Sequence, residues 1–204
     1  MDTVREAVKS TMEWSDVIVL GPGLGTDEVS EYIVEKVVRQ FSKTIILDAD
    51  ALNVLSANKE WLDEVDAKII ITPHLLEMSR LTGVKKGEIK ENKYDMARDF
   101  AKEHGVVVVL KDSRTIVSDG GKQAYINMTG NNGMATGGSG DVLSGIIAGL
   151  CGQNMEVFEA AKLGVYMHGM AGQEAAISKG RYSMIASDIV RSITRVLEGD
   201  YYVN

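Results

Sequence analysis

Between Gly130 and Leu143 the chain reads Gly-Asn-Asn-Gly-Met-Ala-Thr-Gly-Gly-Ser-Gly-Asp-Val-Leu. Of Gly137, Gly138, Ser139 and Gly140, only Ser139 carries a Cβ, so a phosphate oxygen can approach this backbone closely. Val142, Leu143, Ile146, Ile147 and Leu150 then fall on one helical face, which predicts a core-packed helix opening into the loop. The free amides and partial positive charge at such a helix start make an anion hole. Asp141 sits in the first turn, where it can face a bound phosphate and take a proton from a hydroxyl during phosphoryl transfer. The plainer alternative is an aspartate that only caps the helix. No Gly-Lys-Ser/Thr follows the loop, so it is not a Walker A sequence.

Other residues admit two readings each. Gly21–Gly25 (GPGLG) follows an apolar run and is either a ligand-facing loop or a tight turn; it lacks the GxGxxG spacing of a dinucleotide fingerprint. Asp48 and Asp50 close another apolar run, with Asn53 able to pair with either. Paired acids there could hold magnesium beside phosphates. Equally, Asp50 could cap the next helix. His74, after Pro73 at a helix start, is a surface or capping residue unless something else argues for a ligand. His168 lies in an apolar helix and reads as core, and His104 precedes Gly105 as a charge at a helix C-terminus. Three dispersed histidines and one cysteine, Cys151, make no metal cluster, and the methionines read as packing. Glu77 and Arg80, at i and i+3, are expected to form a weak surface pair.

The elements that must position these residues are visible in the pattern. Val17–Leu20, Thr44–Leu47, Lys68–Ile71 and Val106–Leu110 are β-branched runs without clean alternation, as expected of parallel strands buried on both faces. Helical patterns alternate with them: one after Thr26–Asp27, one carrying Leu75, Met78 and Leu81 before Gly83, and one from Asn92 to Glu103. That alternation argues for a doubly wound α/β sheet. Thr115–Ser118 and Gln123–Ile126 flank Asp119-Gly120-Gly121, an antiparallel hairpin signal. Helical segments at Ser139–Leu150, Val157–Lys179 and Ile185–Leu197 complete the chain.

Composition bounds the function. The 204 residues fit a single domain, 1–204, with a net charge of -7 and no basic stripe, which argues against nucleic acid as a partner. An acidic chain can still bind anions locally, through amides and one or two cations. A lone cysteine suits a reduced, cytoplasmic setting; no apolar run is long enough to span a membrane, and the N-terminus does not resemble a signal peptide.

GGSGDVLSG resembles the GxGD signature of the ribokinase-like superfamily. The resemblance widens with GPGLG, LDADALN at Leu47–Asn53, TPHLLEMSRLTG at Thr72–Gly83, Lys111–Thr115 and NNGMATGGSGDVLSG. In that order, over Val17 to Gly172, the chain is similar to ADP/ATP-dependent NAD(P)H-hydrate dehydratases. The resemblance implies a three-layer α/β/α sandwich with a mostly parallel sheet and an antiparallel hairpin. It implies phosphorylation of the hydroxyl of hydrated NADH or NADPH by ADP, with ATP as the alternative and Mg2+ accompanying the nucleotide, followed by loss of phosphate. Asp141 then matches the catalytic aspartate and contacts the hydrate. Lys111, Asp112, Ser113, Arg114 and Thr115, with Gly137, Gly138, Ser139 and Gly140, match nucleotide and phosphate positions. Gly23 or Gly25, with His74, matches substrate positions; Asp50 and Asn53, on their residue types alone, stay candidates for supporting the site or a magnesium ion. Asp112 stands where the family usually has glycine.

Family members also carry a βαβ region ahead of the segment that starts here. Part of the sheet and one substrate wall are therefore expected to come from elsewhere. The chain would be a shortened piece, part of a cleaved or split protein, or completed by a partner chain, and alone would bind nucleotide with weak or no dehydratase activity. The family's habit implies a homo-oligomer, a tetramer. Two other functions stay open on the residues alone: a small-molecule kinase of the same superfamily, and a non-catalytic nucleotide-binding fragment.

Overall fold

The computed structural model describes residues 1–63 and 65–199. Its strands are β1 (Val17–Leu20), β2 (Thr44–Leu47), β3 (Lys68–Ile71), β4 (Val107–Leu110), β5 (Ile116–Ser118) and β6 (Tyr125–Ile126). They form one sheet in the order β1-β2-β3-β4-β5-β6. The first four run parallel, with Ile18 beside Ile45 and Ile45 beside Ile69. β5 and β6 each turn back antiparallel on the strand before, as the hairpin signal predicts.

The helices are α1 (Asp2–Trp14), α2 (Glu28–Gln40), α3 (Asp50–Leu55), α4 (Leu75–Thr82), α5 (Lys86–Glu91), α6 (Lys93–His104), α7 (Ser139–Gly152), α8 (Val157–Lys179) and α9 (Ala186–Glu198). Sequence capping signals hold where chemistry demands them. The Asp27 side chain accepts from Ser30 N at 2.9 Å to start α2, and Gly83 ends α4 at φ 74°.

Strand alternation sorts side chains into two cores. Ile18, Leu20, Ile45, Leu47, Ile69, Ile71, Val108 and Leu110 pack with α2 to α6 through residues such as Val34, Leu52, Met78, Ile89 and Phe100. On the opposite face, Ile46, Ile70, Val107, Val109 and Val117 pack with α7 and α8 through Leu143, Ile147, Ala160 and Val165. The three layers stand as expected, but the doubly wound reading does not. Every crossover helix between parallel strands lies on one face, and the helices after the hairpin cover the other. Strand-helix alternation fixes parallel pairing but not the face each crossover takes, and α7 and α8 already fill the second face. α9 closes over α8 through a small core of Ala171, Ala175, Met184 and Ile189.

Close approach of α8 depends on missing side chains. A Cβ on Gly164 would lie 2.6 Å from Ile147 of α7. One on Gly172 would meet the Met134 sulfur, and one on Gly169 would meet the Thr129 hydroxyl. These two seats hold the irregular segment and short 3-10 turn (Asn132–Met134) leading into the glycine-rich loop, and Asn131 Nδ2 adds a 2.8 Å bond to the Gly172 carbonyl.

Candidate active site

The chain crosses the C-terminal edge of the parallel strands four times, and the candidate residues collect there. Asp48 N donates to the Leu20 carbonyl at 3.0 Å, Thr72 N to Leu47 O at 3.0 Å and Lys111 N to Pro73 O at 2.8 Å. The ladder thus continues past the strands and lines up Gly21, Asp48, Thr72–His74 and Lys111. This is where open α/β sheets bind ligands.

α7 begins beside that row. Gly138 takes the left-handed conformation, φ 82°, and no side chain caps the helix. Ser139 N is satisfied by Thr136 O at 3.3 Å, and Val142 N by Gly138 O at 3.1 Å. The amides of Gly140 and Asp141 find no acceptor among the described residues. Gly137, Gly138 and Asp141 are exposed, and Ser139 is buried. Asp141 is therefore not a cap: its carboxylate takes part in no hydrogen bond or ion pair among the described residues, beside two unsatisfied donors.

Lys111 enters from the end of β4. Its Nζ lies 2.6 Å from Asp48 Oδ1 and 3.3 Å from where a Cβ on Gly140 would stand. The lysine head therefore sits at the first turn of α7, and Gly140 leaves room for it. Asp48 is buried. Burial pushes its carboxyl upward, but the Lys111 charge and the hydrogen bonds from Lys111, Ser144 and Thr72 outweigh this and hold it below the usual carboxylate range. On α8, the His168 ring approaches Ser139 Oγ with Nε2 at 3.3 Å. Burial, chiefly, lowers its pKa to about 4, so the ring is neutral at pH 7.

Several sequence readings change. Asp48 and Asp50 do not converge on one cation. Asp50 Oδ2 accepts from Gly25 N at 2.9 Å and Oδ1 faces Asn53 Nδ2 at 3.5 Å, while Asn53 Oδ1 accepts from Arg80 at 2.6 Å. Asp50 makes no capping bond on α3, whose N-cap is Ala49. The Glu77–Arg80 surface pair is absent. Glu77 is buried and Oε2 accepts from His74 N at 2.7 Å. His74 completes that capping box: its Nδ1 accepts from Leu76 N and Glu77 N at 3.2 and 3.0 Å. The ring is half-exposed, with Nε2 3.4 Å from Glu77 Oε1.

Asp112 turns away to Lys93 of α6 at 2.7 Å, with burial opposing and Lys93 enforcing a lowered carboxyl pKa. Ser113 and Arg114 are exposed, and Thr115 Oγ1 donates to Asp112 O at 3.3 Å, closing the loop. Gly23 and Gly25 adopt φ 67° and 81°, and a Cβ on Gly23 would meet nothing. The glycine the fold requires is Gly21, which the sequence left undistinguished. Also missed were Ser144 and the link from Asp48 to Lys111; a serine among the apolar residues of the α7 face was the available signal. Two cavities, of about 490 and 250 Å3, flank His104 at the opposite end of the sheet and are lined by no candidate residue.

A family model described as NAD(P)H-hydrate dehydratase matches residues 2–195. This chain belongs to that family. It is 42% identical over 182 residues to the bifunctional NAD(P)H-hydrate repair enzyme Nnr of Moorella thermoacetica, covering 89% of this chain and 34% of that protein. The ADP/ATP-dependent NAD(P)H-hydrate dehydratase of Bacillus subtilis, co-crystallized with ATP/Mg2+, superposes with a TM-score of 0.80 at 28% identity. That match covers 90% of this chain and 64% of the other. A ribokinase-like superfamily protein from Enterococcus faecalis gives a TM-score of 0.80 at 28% identity, over 96% of this chain and 68% of its own. The fold is ribokinase-like. This member of the dehydratase family spans about a third of the Moorella relative and about two thirds of the solved chains. No described helix is long and apolar enough to cross a membrane.

Proposed function

We propose that this site phosphorylates the hydroxyl of hydrated NADH or NADPH at the expense of ADP, or of ATP, and that phosphate then leaves to restore the reduced nicotinamide. The observation that carries the reading is the pair of acceptor-free amides at Gly140 and Asp141, with Lys111 Nζ beside Gly140 and the unpartnered Asp141 carboxylate in the same turn. The amides and the ammonium hold and polarise the terminal phosphate of the nucleotide. Asp141 takes the proton of the attacking hydroxyl, its oxygen bonds to phosphorus, and the shortened nucleotide departs. Hydroxide is a poor leaving group at neutral pH and phosphate a good one, so the new ester breaks at its C–O bond where the alcohol would not, and the adjoining ring carbon gives up a proton to solvent as the ring double bond forms. His74 and the Gly21–Gly25 loop lie along the same strand edge, on the side expected to meet the nicotinamide hydrate.

Magnesium fits as a companion of the phosphates. Both Asp48 oxygens are engaged within the protein, Asp50 faces Gly25 and Asn53, and no group of three ligands exists among the described residues. Asp141 is the carboxylate left to meet such an ion, which binds with one or two carboxylates, phosphate oxygens and water. When bound, it would neutralise charge building on the transferring phosphoryl group.

The test is phosphate release and recovery of reduced-nicotinamide absorbance with ADP and hydrated NADH, in the native protein and in Asp141→Asn. Turnover should fall by about 10²–10⁴-fold. The exposed side chain has no partner to lose, so stability should stay within about 0.5 kcal/mol. A stable phosphorylated product would instead identify a small-molecule kinase. Undiminished turnover in Asp141→Asn would refute the mechanism.

A further inference from the structure

We propose that Asp48 is a positioning residue for phosphoryl transfer, acting through Lys111 and α7 without touching the nucleotide; this rests on the phosphate-transfer reading above. The carboxylate is 1% exposed and lies behind the first turn of α7. Oδ1 accepts from Lys111 Nζ at 2.6 Å and from Ala49 N at 2.9 Å. Oδ2 accepts from Ser144 Oγ at 2.8 Å, and Ser144 is fully buried on α7. Lys111 is the one member of this group with its head toward the site, its side chain 20% exposed.

One carboxylate therefore ties together the two elements that supply positive charge. It pins an ammonium on the loop after β4, and it pins the helix whose amides face the phosphate. A Cβ at Gly140 would stand 3.3 Å from Lys111 Nζ and 3.6 Å from Asp48 Oδ2, so the pair packs directly against the loop backbone. A third side is fixed by Gly21, where an added Cβ would sit 1.8 Å from the Asp48 carbonyl oxygen. A lysine on a free four-carbon stem follows the phosphate wherever it goes and stabilises ground state and transition state alike. A lysine anchored at one point favours the phosphate placement that meets it, which is the condition for selective stabilisation of the transition state.

The test is a double-mutant cycle on the full chain with Asp48→Asn, Lys111→Met and the pair together. Asp48→Asn should keep the Kd for ADP within about threefold, because the uncovered ammonium charge offsets lost order, yet lower kcat about 30-fold or more. Lys111→Met should weaken ADP binding about tenfold or more. In the Lys111→Met background, Asp48→Asn should change kcat less than about threefold and should raise Tm, because a buried carboxylate without its cation is relieved. Lys111 acylation, followed by mass spectrometry, should quicken about fivefold in Asp48→Asn while other lysines are unchanged.

A purely structural role would lower Tm alone and leave kcat of the folded protein and Lys111 reactivity in place. Unchanged kcat in Asp48→Asn, or a loss that multiplies in full in the Lys111→Met background, would overturn the proposal. If Asp48→Asn fails to fold, Ser144→Ala breaks only the helix arm and should still lower kcat with ADP affinity kept. A protein that binds ADP but turns over no hydrate would refute the dehydratase reading for this chain by itself. The Tm coupling and Lys111 reactivity then decide the role of Asp48 by themselves.

Discussion

Gly21→Ala is the sharpest stability test of the site's architecture. The glycine has φ 123°, and its added Cβ would lie 1.8 Å from the Asp48 carbonyl oxygen, 2.8 Å from Ala51 N and 2.9 Å from Ala51 Cβ. Two of those atoms are backbone, held by the sheet and by the start of α3, so no flexible side chain can yield. Strained backbone costs about 1–3 kcal/mol and forced overpacking about 1–3 kcal/mol more. The expected loss is about 3–5 kcal/mol, and at about 2–4 °C per kcal/mol for a domain of this size Tm should fall by about 10 °C. The control is Gly23→Ala, where φ is 67° and no atom lies within 4 Å of the new Cβ. Only left-handed backbone strain remains there, about 1–2 kcal/mol. Thermal unfolding of both variants, followed by circular dichroism, makes the comparison. Equal Tm values for the two would show that GPGLG does not pack on the Asp48 backbone, and the linkage from that loop to Lys111 would fall with it.

Two further tests address the loop and the histidine of α8. Gly140→Ala places a methyl 3.3 Å from a lysine head that is itself pinned, so ADP affinity measured by calorimetry should drop about tenfold while stability changes by less than about 1 kcal/mol. His168 is held neutral, with its pKa lowered from 6.5 to about 4, so the unfolded chain binds the extra proton between those values. Its contribution to stability is therefore complete above pH 6.5 and is lost as pH falls towards 4, by about 3 kcal/mol in all. His168→Gln should flatten urea-unfolding stability over that window, and an unchanged slope would contradict the assignment.

The sequence was most legible where one physical constraint acts alone. Double-sided burial made β2 to β4 β-branched; β1, first in the sheet, instead buries Ile18 and Leu20 and leaves Val19 exposed, so the expectation of burial on both faces fails there, although all four strand ranges stand to within a residue. The loop before α7 was legible because few residues other than glycine allow so close an approach. What escaped depends on pairs distant in the chain. Asp48 and Lys111 are 63 positions apart and Asp48 and Ser144 are 96 apart, so spacing carries no trace of either bond. Asp48 looked like half of an acid pair because Asp50 is two residues away. Yet β2 has already ended at Leu47, and the backbone turns at Ala49, φ 48°, sending the two carboxylates to different partners. Glu77 and Arg80 failed similarly: helical spacing allows the pair, but a buried capping box claims the acid first. His74 shows the reverse case, since its cap explains the residue completely at Nδ1 while leaving half of the ring at the surface beside the site.

If this acidic chain holds a polyphosphate as proposed, it must solve a charge problem locally. With a net charge of -7, the long-range field repels the nucleotide, so attraction must come from groups within one Debye length. Lys111 supplies one full charge, but Asp48 at 2.6 Å cancels most of its distant field. What remains is short-range and directional: the ammonium hydrogens, two free amides and the partial charge of α7, all anchored to one buried carboxylate. Such a site gains little from general electrostatic attraction and much from geometry. It discriminates against any anion that cannot place oxygens on all of these donors together. In the proposed reaction the same arrangement would let the shortened nucleotide and the released phosphate leave, because neither would retain the full set of contacts. The buried ion pair is best understood as tuning this balance, since breaking it would expose a free cation to every passing anion while loosening the helix that gives the site its direction.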